Sequence, residues 1–247
     1  MRVSVVGAQG RMGSHVVAAV EAAEDMQLAL QVDSSDDLTQ VSPENTDVAV
    51  DFTVPDVTLD NVLTLIKQGV NVVVGTTGWN DDKLAQVREA LAQAPRKDQA
   101  VFIAPNFAIS AVLADYFAGI AAPYFESAEV IEAHHPNKLD APSGTAVHTA
   151  HTIAQARRQA DCAPMPDATV GNEPSRGDVV DGVHVHAVRL RGLNAHEEIL
   201  LGNPGEQMII RSDCFDRASF MPGVLLACRK VGEHPGLTVG LDQFLDL

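Results

Sequence analysis

Cysteine is scarce in this chain: Cys162, Cys214 and Cys228 are the only three in 247 residues. They lie far apart, are odd in number and form no C-x-x-C. That argues against a disulfide framework or a thiolate zinc site and fits a reducing compartment. Positive charge is scarce as well, with 17 Lys and Arg against 33 Asp and Glu and a net charge of −16. Such a chain lacks the basic footprint that nucleic acid or an anionic membrane surface requires. No apolar run approaches the length of a membrane span. The N-terminus enters the β-like run Arg2-Val3-Ser4-Val5-Val6 directly, with no signal-peptide core. The expectation is a cytoplasmic protein with neither a nucleic-acid nor a membrane partner. A small anionic substrate remains open, because local groups rather than net charge set the field inside a cleft.

What is present is ordered. The first hundred residues alternate strand and helix: strands over 3–7, 28–33, 48–53, 72–75 and 101–104, helices over 11–24, 55–68 and 81–93. Short apolar strand runs between helices predict a parallel sheet covered on both faces, doubly wound by right-handed crossovers. After Asn106 the pattern changes. A helix over 109–125, a strand over 128–133 and a helix over 145–158 precede a Pro- and Gly-rich loop over 159–182. Strands over 183–190, 197–202 and 207–214 follow, the last two joined at Asn203-Pro204-Gly205-Glu206. A final helix over 216–231 is closed by Pro235-Gly236. The expected fold is α/β: a Rossmann-like dinucleotide-binding domain over 1–106 and 216–247, with an inserted α+β domain over 107–215 for substrate and oligomerisation. Its strands need a partner to cover a face and an edge, so a homo-oligomer is expected.

Gly7-Ala8-Gln9-Gly10-Arg11-Met12-Gly13 joins the first strand to the first helix. The spacing is G-x-x-G-x-x-G, in the strand-to-helix context that brings backbone N–H groups against a pyrophosphate. Asp33 ends the second strand, where an acid can accept both ribose hydroxyls of an adenosine. Asp33 repels a 2′-phosphate, whereas Arg11 offers it a guanidinium. Ser34 is uncharged, so use of both NADH and NADPH is expected, leaning to NADH. Gly75-Thr76-Thr77-Gly78 and Ala104-Pro105-Asn106-Phe107 close the fourth and fifth strands. They suit the nicotinamide end and ordinary turn chemistry equally well.

Glu132-Ala133-His134-His135-Pro136-Asn137-Lys138-Leu139-Asp140-Ala141-Pro142-Ser143-Gly144-Thr145-Ala146 is the most informative segment. Alone, His134 reads as a core histidine and Lys138 as a solvated loop charge. Beside the helix start at Ser143-Gly144-Thr145 they read as a site for a small polyanion with a proton donor at hand. The N–H groups of Gly144 and Thr145 can hold a carboxylate. Lys138 can donate a proton, and His134 or His135 can tune it or act as the acid. Asp140 is a weak third ligand beside two histidines, so no metal site is expected. His148, His151, His184, His186, His196 and His234 read as surface or hairpin residues, and the acids after Asp33, up to Asp37, as a solvated loop. A different reductase of a small carboxylate, or a nicotinamide-binding sensor without catalysis, would share the glycine loop but not need this segment.

Along essentially its whole length the chain resembles the 4-hydroxy-tetrahydrodipicolinate reductase family, also called dihydrodipicolinate reductase. The likeness runs through Val6 to Gly13, Asp51-Phe52-Thr53, Gly75 to Gly78, Ala104 to Phe107 and Glu132 to Ala146. Asp33-Ser34 and the ending Pro235-Gly236-Leu237-Thr238-Val239-Gly240-Leu241 look most like its actinobacterial branch. The resemblance implies NAD(P)H-dependent reduction of a cyclic dicarboxylate with loss of water, in diaminopimelate and lysine biosynthesis. It implies His134 as proton donor/acceptor and Lys138 as proton donor, with His135, Gly144 and Thr145 on the substrate. It implies Gly7, Ala8, Gln9, Gly10, Arg11, Met12, Asp33, Gly75, Thr76, Thr77, Ala104, Pro105, Asn106 and Phe107 on the cofactor, and a homotetramer. Some members carry an arginine where this chain has Ser34, and a basic residue where it has Gln9, which weighs against a preference for NADPH.

Overall fold

The computed structural model describes residues 1–171, 173–245 and 247. Asn172, in the expected loop over 159–182, and Asp246, in the expected range 216–247, lie outside the described residues. The chain forms two compact units, residues 1–107 with 220–247 and residues 108–219.

The first unit holds six parallel strands: β1 (Arg2–Val6), β2 (Gln27–Val32), β3 (Val48–Asp51), β4 (Asn71–Val74), β5 (Ala100–Ile103) and β11 (Gly236–Val239), in the order β11-β5-β4-β3-β1-β2. Every residue of β3, β4 and β5 is buried, as expected of central parallel strands covered on both faces. The helices α1 (Gly13–Ala22), α2 (Thr58–Gln68), α3 (Asp81–Ala92) and α6 (Met221–Lys230) belong to this unit. Gly69 ends α2 in the left-handed conformation, after Lys67 in the last turn. Asn80 caps α3 by accepting from the Lys83 N–H at 3.0 Å. β11 is a correction: the sequence reading closed the last helix at Pro235-Gly236 and placed no strand after it, but residues 236–239 pair with β5. Its three residues beyond Pro235-Gly236 are too few to establish a period, and the pairing with β5 makes them a strand. α1 and α2 also start later than expected, because residues 7–12 and 55–57 are turns.

The second unit contains α4 (Ile109–Ala121), α5 (Gly144–Gln159) and a mixed sheet. Its strands are β6 (Ser127–His134), β7 (Asp178–Val180), β8 (Val183–Arg189), β9 (Ala195–Asn203) and β10 (Glu206–Cys214), in the order β10-β9-β6-β8-β7. β6 and β8 run parallel, joined through α5, and the other pairs are antiparallel. β6 alternates, with Ala128, Val130 and Glu132 buried. The two aliphatic residues enter a core with Ala146, Ala150 and Ile153 of α5 and Ile199 and Leu201 of β9. The loop expected over 159–182 contains β7, whose hairpin with β8 turns on Asp181 and Gly182, at φ 50 and 86. Asp-Gly between β-branched residues is a two-residue hairpin signal. Among the described residues, no helix is long and apolar enough to cross a membrane.

Candidate active site

In the first unit, the loop after β1 is shaped by close backbone approach. Gly7 has φ 79, and a Cβ there would stand 2.6 Å from the Phe52 carbonyl oxygen. A Cβ on Gly13 would stand 1.9 Å from the Gly7 oxygen, so only glycine lets α1 start this close to β1. Gly7 N–H donates to Val32 O at 2.7 Å and Gly10 N–H to Gly7 O at 3.0 Å. α1 has neither a side-chain cap nor an acid in its first turn, leaving its positive end suited to an anion.

This loop borders a cavity of about 1050 Å³, lined also by Asp33, Ser34, Asp36, Gly75, Thr76, Thr77, Pro105, Asn106 and Phe107. It is at the upper end of the ~300–1,000 Å³ typical of small-molecule and cofactor sites. Of the expected cofactor residues, Gly7, Gln9, Gly10, Arg11 and Met12 line it too. Ala8 and Ala104 are buried and outside the lining. The cavity, the glycine cradle and the uncapped helix start fit a dinucleotide.

Asp33 holds the loop itself, accepting Gln9 N–H on both carboxylate oxygens at 3.2 Å. Its own N–H donates to Asp36 Oδ2 at 2.8 Å. Asp36, read from sequence as a solvated loop acid, is exposed and lines the same cavity as Asp33. Asp51 was quoted without a role, yet it is fully buried at the end of β3. It accepts from the hydroxyls of Thr53 (2.9 Å), Thr58 (3.0 Å) and Thr76 (2.8 Å) and from Asn61 Nδ2 (2.8 Å). This carboxylate ties the loops after β3 and β4 together and fixes Thr76. Trp79 donates from Nε1 to Thr76 O at 2.9 Å.

In the second unit, β6 delivers His134 at its end, and a short loop leads to α5. Ser143 caps α5, its Oγ accepting from Ala146 N–H at 3.2 Å. Gly144 is exposed, and nothing lies within 4 Å of where its Cβ would be. Thr145 follows in the first turn. Lys138 Nζ lies 2.9 Å from Asp140 Oδ1, and Gly144 N–H donates to Asp140 Oδ2 at 3.3 Å. One carboxylate therefore spans the ammonium and the helix N-terminus, the two groups expected to meet the substrate. Burial would raise the Asp140 carboxyl, but the bond from Lys138 and the backbone bonds outweigh it and hold it below the usual range. The Nδ1 of His135 is buried without a partner among the described residues.

His134 Nδ1 lies 2.6 Å from Glu132 Oε2. Burial pulls the imidazole below its ordinary 6.5, assisted by the charges of Lys138 and Arg189 and opposed by Glu132. Glu132 is 0% exposed. Arg189 meets it with a fork, Nη1 to Oε2 and Nη2 to Oε1, each at 2.7 Å. Desolvation raises the Glu132 carboxyl, but bonds from Arg189, His134 and the Ser143 N–H leave it below the usual value. Sequence reasoning missed both Glu132 and Arg189. The acid had a signal, since Ala128, Val130 and Glu132 are alternate inward positions; the arginine, 57 residues on, had none.

Three of the histidines expected at the surface or in hairpins lie on hairpin strands, His184 and His186 half-buried on β8 and His196 on β9. His196 is buried, with Nδ1 2.6 Å from Asp213 Oδ1. His184 and His186 lie 3.1 Å from Asp167 and 2.8 Å from Glu129 respectively. Arg176 bridges the same two acids. These contacts hold Asp167 and Arg176 to the sheet. Among the described residues no group of three or more His, Cys, Asp or Glu could hold a metal ion.

Residues 1–107 match the family model "Dihydrodipicolinate reductase, N-terminus" and residues 107–245 match "Dihydrodipicolinate reductase, C-terminus". A 4-hydroxy-tetrahydrodipicolinate reductase of Bifidobacterium animalis subsp. lactis is 73% identical over 252 residues, covering 100% of both chains. One of Beutenbergia cavernae is 60% identical, covering 100% of this chain and 99% of the relative. A solved dipicolinate-bound dihydrodipicolinate reductase from Paenisporosarcina sp. TG-14 matches with a TM-score of 0.87 at 34% identity, over 99% of each chain.

Proposed function

The chain belongs to the dihydrodipicolinate reductase family, and we propose that it reduces 4-hydroxy-tetrahydrodipicolinate to tetrahydrodipicolinate with loss of water, in diaminopimelate and lysine biosynthesis. The observation that carries this reading is the Asp140 carboxylate held between Lys138 Nζ and the Gly144 N–H. A substrate carboxylate can take that place, at a helix N-terminus that favours anions and beside a proton donor. Thr145 N–H and His135 complete the cradle for the substrate.

The reaction needs a hydride, a proton and the departure of a hydroxyl. A reduced nicotinamide cofactor supplies the hydride. Lys138 supplies a proton, and the anionic substrate replaces Asp140 as its partner. His134, held below its ordinary pKa by burial, is neutral near pH 7 and able to take a proton and return it. The glycine loop holds the pyrophosphate, and the loops after β4 and β5 hold the nicotinamide end, with Thr76 preset by Asp51. Residues 1–107 and 220–247 are the cofactor unit in this reading, and 108–219 the substrate unit.

Asp33 and Asp36 together disfavour a 2′-phosphate, while Arg11 compensates in part, so both cofactors serve and NADH serves better. The exposed Met208 and Ile209 on the edge strand β10 and the exposed Val188 on β8 support assembly through the sheet, as a homotetramer. The free thiols of Cys162, Cys214 and Cys228 fit a cytoplasmic location. The test follows cofactor absorbance with fresh 4-hydroxy-tetrahydrodipicolinate, NADH and NADPH in parallel. Oxidation of neither, with cofactor binding intact, defeats the proposal; light scattering at a monomer's mass defeats the assembly.

A further inference from the structure

Glu132 has no room for solvent and no spare lone pair directed at it. Oε1 accepts from Ser143 N–H at 2.9 Å and from Arg189 Nη2; Oε2 accepts from Arg189 Nη1 and faces His134 Nδ1. Arg189 Nη2 also donates to the Asp140 backbone oxygen at 2.7 Å. One buried carboxylate thus fastens the proton-transfer histidine, the start of α5 and, through Arg189, the loop that carries Lys138. Replacing a buried ion pair by apolar residues often leaves a protein as stable or more so, so stability alone does not account for this arrangement.

We propose that Glu132 is a positioning residue for His134: it fixes the imidazole as the Nδ1–H tautomer and leaves Nε2 as the nitrogen that exchanges a proton with substrate. An ionised carboxylate only accepts, so a nitrogen 2.6 Å from it carries the hydrogen, and in a neutral ring the other nitrogen then carries the lone pair. The carboxylate also favours the imidazolium, opposing burial and the positive charges of Lys138 and Arg189. Asp140 partners Lys138, and the titratable group facing Glu132 from the neighbouring strand is Glu197, opposite it in the β6–β9 register. The inference rests on the reductase reading for the reaction served, but not for the tautomer.

The experiment labels the histidines of the wild-type enzyme with nitrogen-15 and reads the ring nitrogens of His134 by NMR, without substrate. A bare Nε2 with a protonated Nδ1 is expected; the opposite tautomer overturns the proposal. In Glu132→Gln the anion is gone, so kcat falls about 100-fold while KM for the cofactor stays near wild type. The acid limb of the pH profile moves to lower pH, because the charge that favoured imidazolium is lost. Loss of folded enzyme with an unchanged kcat and limb per folded molecule would show a structural role only and overturn it. Should that variant not fold, Glu132→Asp keeps the charge and draws it back by one methylene. A reduced kcat with the limb near its wild-type position is then expected, and wild-type kcat overturns the proposal. Failure of the reductase reading would look different: wild-type enzyme would leave the cofactor unoxidised, and the tautomer would be read all the same.

Discussion

Glu197→Gln should stabilise the protein at alkaline pH and do little at acid pH. Glu197 is 6% exposed, on β9 opposite Glu132, with no cation paired to its carboxyl among the described residues. Burial lifts its carboxyl from an ordinary 4.5 to about 7, opposed by the Thr149 hydroxyl and assisted by the charges of Asp115 and Glu132. The folded state therefore keeps a proton that the unfolded chain has released. Stability is lost as pH rises from the unfolded value towards the folded one, and no more is lost above that. At ~1.4 kcal/mol per pH unit, the rise amounts to about 3 kcal/mol. Glutamine cannot titrate, so the gap between variant and wild type should widen by about that amount from acid to alkaline pH. For a chain of this size it corresponds to roughly 6–12 °C in Tm. Urea and thermal unfolding of both proteins at either end of the range measure it. The difference between the two gaps removes whatever the amide itself costs. A gap that is the same at both pH values would refute the reasoning, since it would mean Glu197 carries its charge when folded.

Lys138→Ala should lower kcat by ~10²–10⁴-fold and leave cofactor affinity unchanged, because a general acid acts in the transition state; near-wild-type turnover in stopped-flow assays would remove it from the chemistry. Asp36→Asn should raise the ratio of kcat/KM for NADPH over NADH by roughly fivefold, as a close like charge is worth about 1 kcal/mol at an exposed site. An unchanged ratio in parallel steady-state assays would return Asp36 to the solvated loop. Asp140→Asn should tighten binding of a pyridine dicarboxylate by a few-fold, since no internal carboxylate then competes for Lys138 and the Gly144 N–H; calorimetry showing weaker binding would count against substrate displacement of Asp140. Gly13→Ala should abolish cofactor binding or folding, because its methyl would meet the Gly7 oxygen at 1.9 Å; normal binding by fluorescence titration would contradict the loop geometry.

The parts of the fold that sequence made legible are those whose signal is local. Val48–Asp51, Asn71–Val74 and Ala100–Ile103 are short apolar runs between helices, and parallel strands buried on both faces have that composition. Residues 236–239 are not such a run: a glycine opens it, Pro235 and Gly236 read as a stop, and the strand exists through its ladder with β5. β7 lay inside a segment whose Pro and Gly content suggested a loop, although Asp181-Gly182 carried a hairpin signal that composition outweighed. The two errors have different causes, a missing signal in one case and a neglected one in the other.

The site divides the same way. The glycine loop and the 132–146 segment are contiguous, so spacing alone brings their groups together. What holds those groups is not contiguous. Asp51 gathers Thr53 and Thr76 from the loops after β3 and β4 and Thr58 and Asn61 from the start of α2, and Glu132 draws Arg189 from the other side of a parallel crossover. Both carboxylates are wholly buried, and both sit where an apolar strand's pattern calls for another aliphatic side chain. A charge buried at such a position is costly unless partners surround it. Each acid was therefore evidence, in the sequence, that several polar groups elsewhere converge on it, although not which ones. In β6 that inference leads from Glu132 to His134, two residues on and on the same face of the strand. The acid and the histidine that sequence treated as neighbours in a motif are, by the pleat, already a pair.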